Sequence, residues 1–341
     1  MAEAIDIAVV GASGMVGGEL LRLLESRRFP VGNFLPCNSG KAASVSFGGK
    51  KYPCRAPEFQ ELRKCGLVFF VSTDEVSARF AKRLAAAGVW CVDDSSRFRL
   101  DKTVPLVIPE VNGGELRRDR RLIAGPNCTI TGAAVALKRV HDKFRIKELR
   151  IATYQAVSGA GVKGMAQLEE ELKYYFRRGE VPALKAKKFP RPIAFNLFPQ
   201  VGRFDGNGVS EEEAKVAAEL KKIWSSPSLR ISSTAVRVPV LRGHALSVWA
   251  ATRRPWTLAA LRTALAATPG LDFRPRQSDY PTPLSVVRTA GVKAGRLRLS
   301  AAAPREFQLW IVSDNLYKGA ALNSVEIAER LLAEGFVRPV A

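Results

Sequence analysis

Among the residues able to do covalent chemistry, Cys128 has the most telling surroundings. It lies in Gly125-Pro126-Asn127-Cys128-Thr129, after an apolar run at residues 122–124 and before a helical pattern over residues 131–144. A thiol at a helix start feels the positive end of the helix dipole, which favours the nucleophilic thiolate. The plainer alternative is a buried inert cysteine, as most free cysteines are. The polar, turn-forming neighbours set Cys128 apart. A second candidate is His244, in Arg237-Val-Pro-Val-Leu-Arg242-Gly243-His244. Glycine beside a histidine after a strand suits a base that must reach a reaction centre, and in a cysteine enzyme such an imidazole can take up and return protons. His141, within Leu137-Lys-Arg-Val-His-Asp-Lys, reads as a helix-surface histidine.

The remaining cysteines (Cys37, Cys54, Cys65, Cys91) show no metal-type pairing, and five is an odd total. Reduced thiols are expected rather than a disulfide framework. With only two histidines, no metal site is expected.

A dinucleotide site is read from the other end of the chain. An apolar strand at Ile5–Val10 runs into Gly11-Ala12-Ser13-Gly14-Met15-Val16-Gly17 and then a helical pattern. Glycine permits the tight turn and lets backbone N–H groups approach a pyrophosphate at the helix N-terminus. A ligand-free glycine turn is the bland alternative, and the spacing differs from the common G-x-G-x-x-G. An NAD site places a carboxylate near the end of the second strand. Here Cys37 leads to Asn38-Ser39-Gly40-Lys41, with no carboxylate. Ser39 and Lys41 suit a 2′-phosphate, so NADP is favoured, with NAD possible.

These groups need a scaffold, and the first third of the chain supplies a legible one. Apolar runs at 67–71, 89–92 and 122–124 read as strands, with helices at 15–25 and 76–87, which argues for a doubly wound, Rossmann-like parallel sheet. After Cys128 the strand runs at 148–156, 233–238, 245–251 and 307–312 lack intervening helices at every step, which suggests a mixed or antiparallel α+β sheet. Ser210 ahead of three glutamates predicts a capped helix reaching Trp224. Residues 179–192 read as a loop. The expected division is a dinucleotide-binding domain of residues 1–129 with 319–341, and a catalytic and dimerisation domain of residues 130–318.

Composition narrows the class. At 341 residues with 47% hydrophobic content the chain can fill two cores without staples. No run approaches the roughly 20 apolar residues of a membrane span. The start, MAEAIDIAVVGASG, shows no secretory pattern, so a cytoplasmic location is expected. The net charge of +21 could signal a nucleic-acid partner or attraction for anionic substrates. Basic runs at 117–121 and 185–188 lack interleaved aromatics, so they read as solvated surface, with no nucleic-acid or membrane partner.

Five segments together resemble the aspartate-β-semialdehyde dehydrogenases of the shorter bacterial type. They are the 11–17 turn, Pro126-Asn127-Cys128-Thr129, Thr153-Tyr-Gln155-Ala-Val-Ser158-Gly159-Ala-Gly161, Arg237-Val-Pro-Val with Gly243-His244, and Asp314-Asn315-Leu-Tyr-Lys318. The stretch Glu219-Leu-Lys-Lys222 is similar to the family's substrate-binding helix. The resemblance implies Cys128 as nucleophile, His244 as acid–base residue and Gln155 as an orienting group. It further implies Arg237 on the substrate carboxylate, Glu219 on its amino group, and Arg99, Asn127 and Lys222 on phosphate. Ser158, Gly159 and Asn315 would join the 11–17 turn at the cofactor. The implied reaction is reductive dephosphorylation of β-aspartyl phosphate to aspartate β-semialdehyde, through a Cys128 thioester with hydride from NADPH. That reaction serves lysine, threonine, methionine and diaminopimelate synthesis, in a homodimer.

Two departures stand out. The family arginine after the second strand is missing, and Ser72-Thr73-Asp74-Glu75 is acidic where the family is small and glycine-containing. The nearest rival reading is an N-acetyl-γ-glutamyl-phosphate reductase-like enzyme, against which the Gln155 and Glu219/Lys222 segments stand. A non-catalytic binding paralogue should lack the cysteine or the histidine, and this chain keeps both.

Overall fold

The computed structural model describes residues 4–38, 43–181, 188–299 and 303–337. Ser39, Lys41 and most of the 185–188 basic run lie outside them. The chain divides into two compact units, Met1–Asn127 with Ala320–Ala341, and Cys128–Gly319. The division thus falls between Asn127 and Cys128 rather than after Thr129.

The first unit carries strands β1 (Ile5–Val10), β2 (Val31–Cys37), β3 (Ser44–Phe47), β4 (Lys50–Pro53), β5 (Leu67–Phe70), β6 (Trp90–Asp93) and β7 (Leu122–Ala124). Five of them form a parallel sheet in the order β2-β1-β5-β6-β7, and β3 and β4 pair as a separate hairpin. Strands β5, β6 and β7 are buried throughout, as a sheet covered on both faces requires. The strand order reverses at β1, which opens a crevice beyond the ends of β1 and β5. The C-terminal helix Leu322–Ala333 returns to this unit and buries Val325, Ile327 and Leu331 completely. Burying each such side chain is worth about 1.5–3 kcal/mol. Trp90 then stacks on Phe336 at 5.9 Å and donates to its carbonyl at 3.1 Å.

The second unit carries β8 (Ile146–Gln155), β9 (Arg230–Arg237), β10 (His244–Thr252), β11 (Leu271–Phe273), β12 (Val292–Leu299) and β13 (Glu306–Ser313). They form one mixed sheet in the order β11-β12-β13-β10-β8-β9. The β8–β9 and β11–β12 pairs are parallel, and the other three are antiparallel. Three long helices belong here, Cys128–Phe144, Gly161–Arg178 and Glu211–Ile223. The last opens on a full capping box between Ser210 and Glu213, the start its sequence predicts. The three-residue β11, and β12 with its interspersed Lys293, Arg296 and Arg298, carry a weaker apolar signal than their neighbours and escape the sequence reading.

One sequence reading is corrected. His141 is buried rather than exposed: it stacks on Trp224 at 4.6 Å and its Nε2 meets Ser226 Oγ at 2.9 Å. Burial, its largest influence, presses its pKa below the usual histidine value. The partner that buries it is 83 residues away in the sequence, beyond the reach of local periodicity.

A buried ion pair braces the turn ahead of His244. Asp314 is fully buried, accepts from Arg242 Nε at 2.8 Å, and also accepts the backbone N–H groups of Arg288 at 2.6 Å and Leu316 at 3.0 Å. Removing one partner of a buried pair strands the other charge. Asp314→Ala is expected to cost about 3–5 kcal/mol of stability, read from the urea midpoint. A shift worth less than about 1 kcal/mol would show the pair to be ordinary surface charge.

Candidate active site

The register of the second sheet gathers the catalytic candidates at one end. Gln155 and Arg237 are paired across β8 and β9 as the last residues of their strands. On the next strand His244 is the first residue of β10, beside Ala245, which pairs with Tyr154. Because side chains alternate, a one-residue slip would turn any of these to the opposite face.

Cys128 opens the helix Cys128–Phe144, and its Sγ lies 3.5 Å from His244 Nε2. Its partner ring is buried, with Nδ1 accepting the Ala156 backbone N–H at 3.1 Å. Burial, followed by the neighbouring Arg237 charge, pushes the His244 pKa down to about 3. Gly319 packs against Cys128 so closely that a β-carbon there would lie 2.9 Å from the cysteine Cβ. The other cysteines are quieter. Burial, their largest influence, pushes Cys37 and Cys65 up to about 12, and raises Cys54 and Cys91 as well, so all four remain thiols.

Arg237 is buried beside this pair. Its Nη1 donates to the Ala156 carbonyl at 2.6 Å, while its Nε, fully enclosed, has no hydrogen-bond partner among the described residues. Burial lowers its pKa, and Glu212 and then Cys128 oppose that shift. A cleft of about 480 Å³ opens along Arg237, Gly159, Lys188 and Phe189. A buried guanidinium that lines a cleft is suited to a carboxylate or phosphate.

Glycine at position 159 keeps two site side chains uncrowded. A β-carbon there would lie 3.2 Å from Arg237 Nη1 and 3.2 Å from His244 Nε2. A methyl group would therefore press on both side chains, and each would have to give by a few tenths of an ångström.

Glu212 is a residue the sequence reading missed. In the sequence it is one of the three glutamates that follow Ser210, with no site role of its own. In the fold its Oε1 accepts from Gln155 Nε2 at 3.0 Å and Thr129 Oγ1 at 2.9 Å. A carboxylate only accepts, so it fixes the amide of Gln155 with its nitrogen toward Glu212 and its carbonyl turned away. The available signal was a third glutamate where a dipole needs only one or two. Glu212, Val216, Glu219 and Ile223 are all buried, one turn apart on one face, so Glu219 shares the inward face with Glu212. Lys222, one turn beyond Glu219, is half-buried.

Ser158 and Asn315 are brought together. The Asn315 amide donates to Ser158 Oγ at 3.0 Å, and its Oδ1 accepts the Gly243 N–H at 2.9 Å. That places them as braces for the turn ahead of His244.

The first unit holds the other predicted residues. Gly11 has φ +95°, and a β-carbon there would meet the Val71 carbonyl at 2.5 Å. One on Gly17 would meet the Gly11 carbonyl at 2.4 Å. Ala12 is buried and Ser13 exposed, with Ser13 Oγ accepting from Asn38 at 2.7 Å. The helix Met15–Ser26, which includes Val16, starts with no side-chain cap and no acidic residue in its first turn. Bare N–H groups above a close-packed glycine turn fit a dinucleotide pyrophosphate. The acidic loop after β5 does not spoil this: Asp74 accepts from the Ser96 N–H at 2.8 Å and hydroxyl at 2.6 Å. Arg99 and Asn127 are buried in this unit, and Arg99 Nη2 donates to the Asp94 carbonyl at 2.6 Å. Among the described residues no group of three or more His, Cys, Asp or Glu could hold a metal ion. No helix among them is long and apolar enough to cross a membrane.

Comparison with known proteins now decides the family. Residues 6–118 match the model of the semialdehyde dehydrogenase NAD binding domain, and residues 137–318 that of the semialdehyde dehydrogenase dimerisation domain. The chain is 37% identical to an aspartate-semialdehyde dehydrogenase of Shewanella violacea, covering 98% of this chain and 99% of that protein. It is 38% identical to one from Rickettsia conorii, covering 97% and 99%. The chain belongs to the aspartate-semialdehyde dehydrogenase family. The crystal structure of aspartate semialdehyde dehydrogenase II from Vibrio cholerae superposes with a TM-score of 0.92 at 36% identity, covering 97% of this chain and 99% of that one. A second structure of the Vibrio enzyme, complexed with ASA, gives 0.91 at 34% identity, covering 98% and 99%.

Two outcomes test the geometry in this family member. Glu212→Gln replaces an acceptor-only group with one that can also donate, freeing the Gln155 amide to invert. We expect kcat to fall roughly tenfold or more, the scale of one charge-assisted hydrogen bond, with the melting temperature little changed. Gly159→Ala should lower kcat/KM by roughly 10–100-fold by pushing Arg237 and His244 out of place. Wild-type kinetics in the Gly159 variant would show that the two side chains give way without consequence.

Proposed function

We propose that this protein is an NADP-linked aspartate-semialdehyde dehydrogenase that carries its acyl group on Cys128 and acts as a homodimer in the synthesis of aspartate-derived amino acids. The observation that carries the mechanism is the 3.5 Å approach of Cys128 Sγ to a buried His244, beside a buried arginine. In the biosynthetic direction the sulfur attacks the acyl carbon of β-aspartyl phosphate, a C–S bond forms, and phosphate leaves with the electrons of the broken C–O bond. Covalent capture divides one hard step into two easier ones. The dinucleotide, when bound at the 11–17 turn, supplies the hydride that reduces the thioester. Arg237 grips the substrate carboxylate and Glu219 its amino group, while Arg99, Asn127 and Lys222 serve the phosphate. Gln155, its amide fixed by Glu212, presents its carbonyl as an acceptor.

The preference for NADP is supported by the end of β2, where Cys37 and Asn38 stand in place of the carboxylate that would hold a ribose 2′-hydroxyl. The dimer is supported by the match of residues 137–318 to a dimerisation domain.

The assignment is tested by phosphate-dependent reduction of NADP and of NAD with aspartate semialdehyde, beside the N-acetylated glutamyl analogue. Cys128→Ser should abolish turnover while NADPH binding, measured by titration calorimetry, stays intact. Turnover of the acetylated substrate alone would overturn the substrate, and an active Cys128→Ser would overturn the mechanism.

A further inference from the structure

Residues 188–194, Lys-Phe-Pro-Arg-Pro-Ile-Ala, border the cleft beside Arg237 without entering a helix or strand. Pro190 and Pro192 have no N–H, so the stretch has five backbone donors and is poorly suited to a strand ladder. Four of the five end on two side chains of the helix Gly161–Arg178. Gln167 Oε1 accepts from the N–H of Lys188 at 2.9 Å and of Phe189 at 3.0 Å. Glu171 Oε2 accepts from Ile193 and Ala194, each at 2.7 Å. Gln167 Nε2 then donates to Glu171 Oε1 at 2.7 Å, which joins the two side chains. Both are buried, four residues apart on one face of the helix.

The strap held in this way carries one ring to the site. Phe189 packs with Leu168, Ile193 and Phe198, and its ring centre lies 5.7 Å from the guanidinium carbon of Arg237. Phe198, a few residues on, exchanges backbone hydrogen bonds with Arg237 at 2.9 and 3.2 Å. A ring over a guanidinium attracts it, most of all where water is kept out.

We infer, on the reading of Arg237 as the grip for the substrate carboxylate, that Gln167 and Glu171 are positioning residues for that grip. They pin the strap, the strap holds Phe189 against Arg237, and the guanidinium keeps the place from which it meets a carboxylate in the cleft. A loosened strap lets the fork turn and admits water, and a shifted fork holds the same carboxylate in poorer geometry.

The pair has a strict chemical requirement. Every hydrogen bond to Glu171 named above comes from an N–H, so position 171 needs a group that only accepts. An amide there sets an NH2 against Ile193 and Ala194, or against Gln167. If Gln167 turns round to accept it, its own NH2 meets the N–H groups of Lys188 and Phe189. Glu171→Gln therefore unseats the strap in every arrangement while leaving side-chain shape unchanged. Exchanging the two residues, Gln167→Glu with Glu171→Gln, restores all five hydrogen bonds at the same net charge.

The test compares wild type, Glu171→Gln and the exchanged pair, by kinetics with aspartate semialdehyde and by alkylation of Cys128. Glu171→Gln should raise KM roughly tenfold or more with kcat changed less than about threefold, the pattern of lost binding rather than lost chemistry. The exchanged pair should bring KM back close to wild type. Alkylation needs no substrate: iodoacetate offers Arg237 a carboxylate and iodoacetamide does not. The ratio of their inactivation rates therefore reports the guanidinium and cancels the reactivity of the sulfur. That ratio should fall in Glu171→Gln and recover in the exchanged pair. A purely structural role would lower the melting temperature and leave KM and the ratio at wild-type values, which would overturn the inference, as would an exchanged pair that does not recover. Phe189→Leu keeps the strap bonds and removes only the ring, so it should reproduce the higher KM and lower ratio even if Glu171→Gln does not fold; wild-type values there would equally overturn the inference. If the wild-type enzyme does not use aspartate semialdehyde, the functional reading falls, while the alkylation ratio still decides the role of the strap.

Discussion

The contact between one sulfur and one ring nitrogen depends on a backbone N–H that takes part in no step of the reaction. Ala156 follows β8, His244 opens β10, and Cys128 opens a helix, three segments separated by long stretches of sequence. Only the antiparallel pairing of β8 with β10 sets the Ala156 amide against Nδ1 and so aims Nε2 at the Cys128 sulfur. The helix start adds its positive end at the same sulfur. The site is thus organised around one sulfur, with a buried imidazole 3.5 Å away and a buried guanidinium beside the pair.

That organisation explains why so much of the second unit is buried polar structure. Gln155, Glu212, Glu219, Arg237, His244 and Asp314 are all at most 8% exposed. Groups of this kind are costly to bury unless paired, and each broken pairing weakens the fold as well as the site. Arg242 and Asp314, with Asn315 and Ser158, hold the turn ahead of His244. Gly243 has φ +92° and would bring a β-carbon to 2.8 Å from the Pro283 carbonyl, which leaves glycine as the residue that fits. The rigidity that holds the His244 ring in place is built from these neighbours.

The first unit solves a different problem with different means. An anionic cofactor can be held by main-chain N–H groups, so the 11–17 turn needs closeness more than charge. The close approaches of Gly11 and Gly17 supply it. In the 117–121 basic run, Arg117 pairs with Asp119 at 3.1 Å, both well exposed.

Local pattern determined a great deal by itself. Strand and helix alternation in the first unit, the glycine turn, the capped helix from Ser210 and the helix-start cysteine are all signals carried by neighbouring residues, because hydrogen-bond periodicity and capping act over a few positions. Motif resemblance added His244, Gln155 and Arg237 as partners. What the tertiary structure alone decided were relations across sheet register: which nitrogen of His244 faces the sulfur, that Glu212 rather than its neighbours holds Gln155, and that His141 is buried on Trp224. A histidine reads the same in sequence whichever nitrogen faces the sulfur. That choice belongs to one backbone amide 88 residues away, and only folding brings the two together.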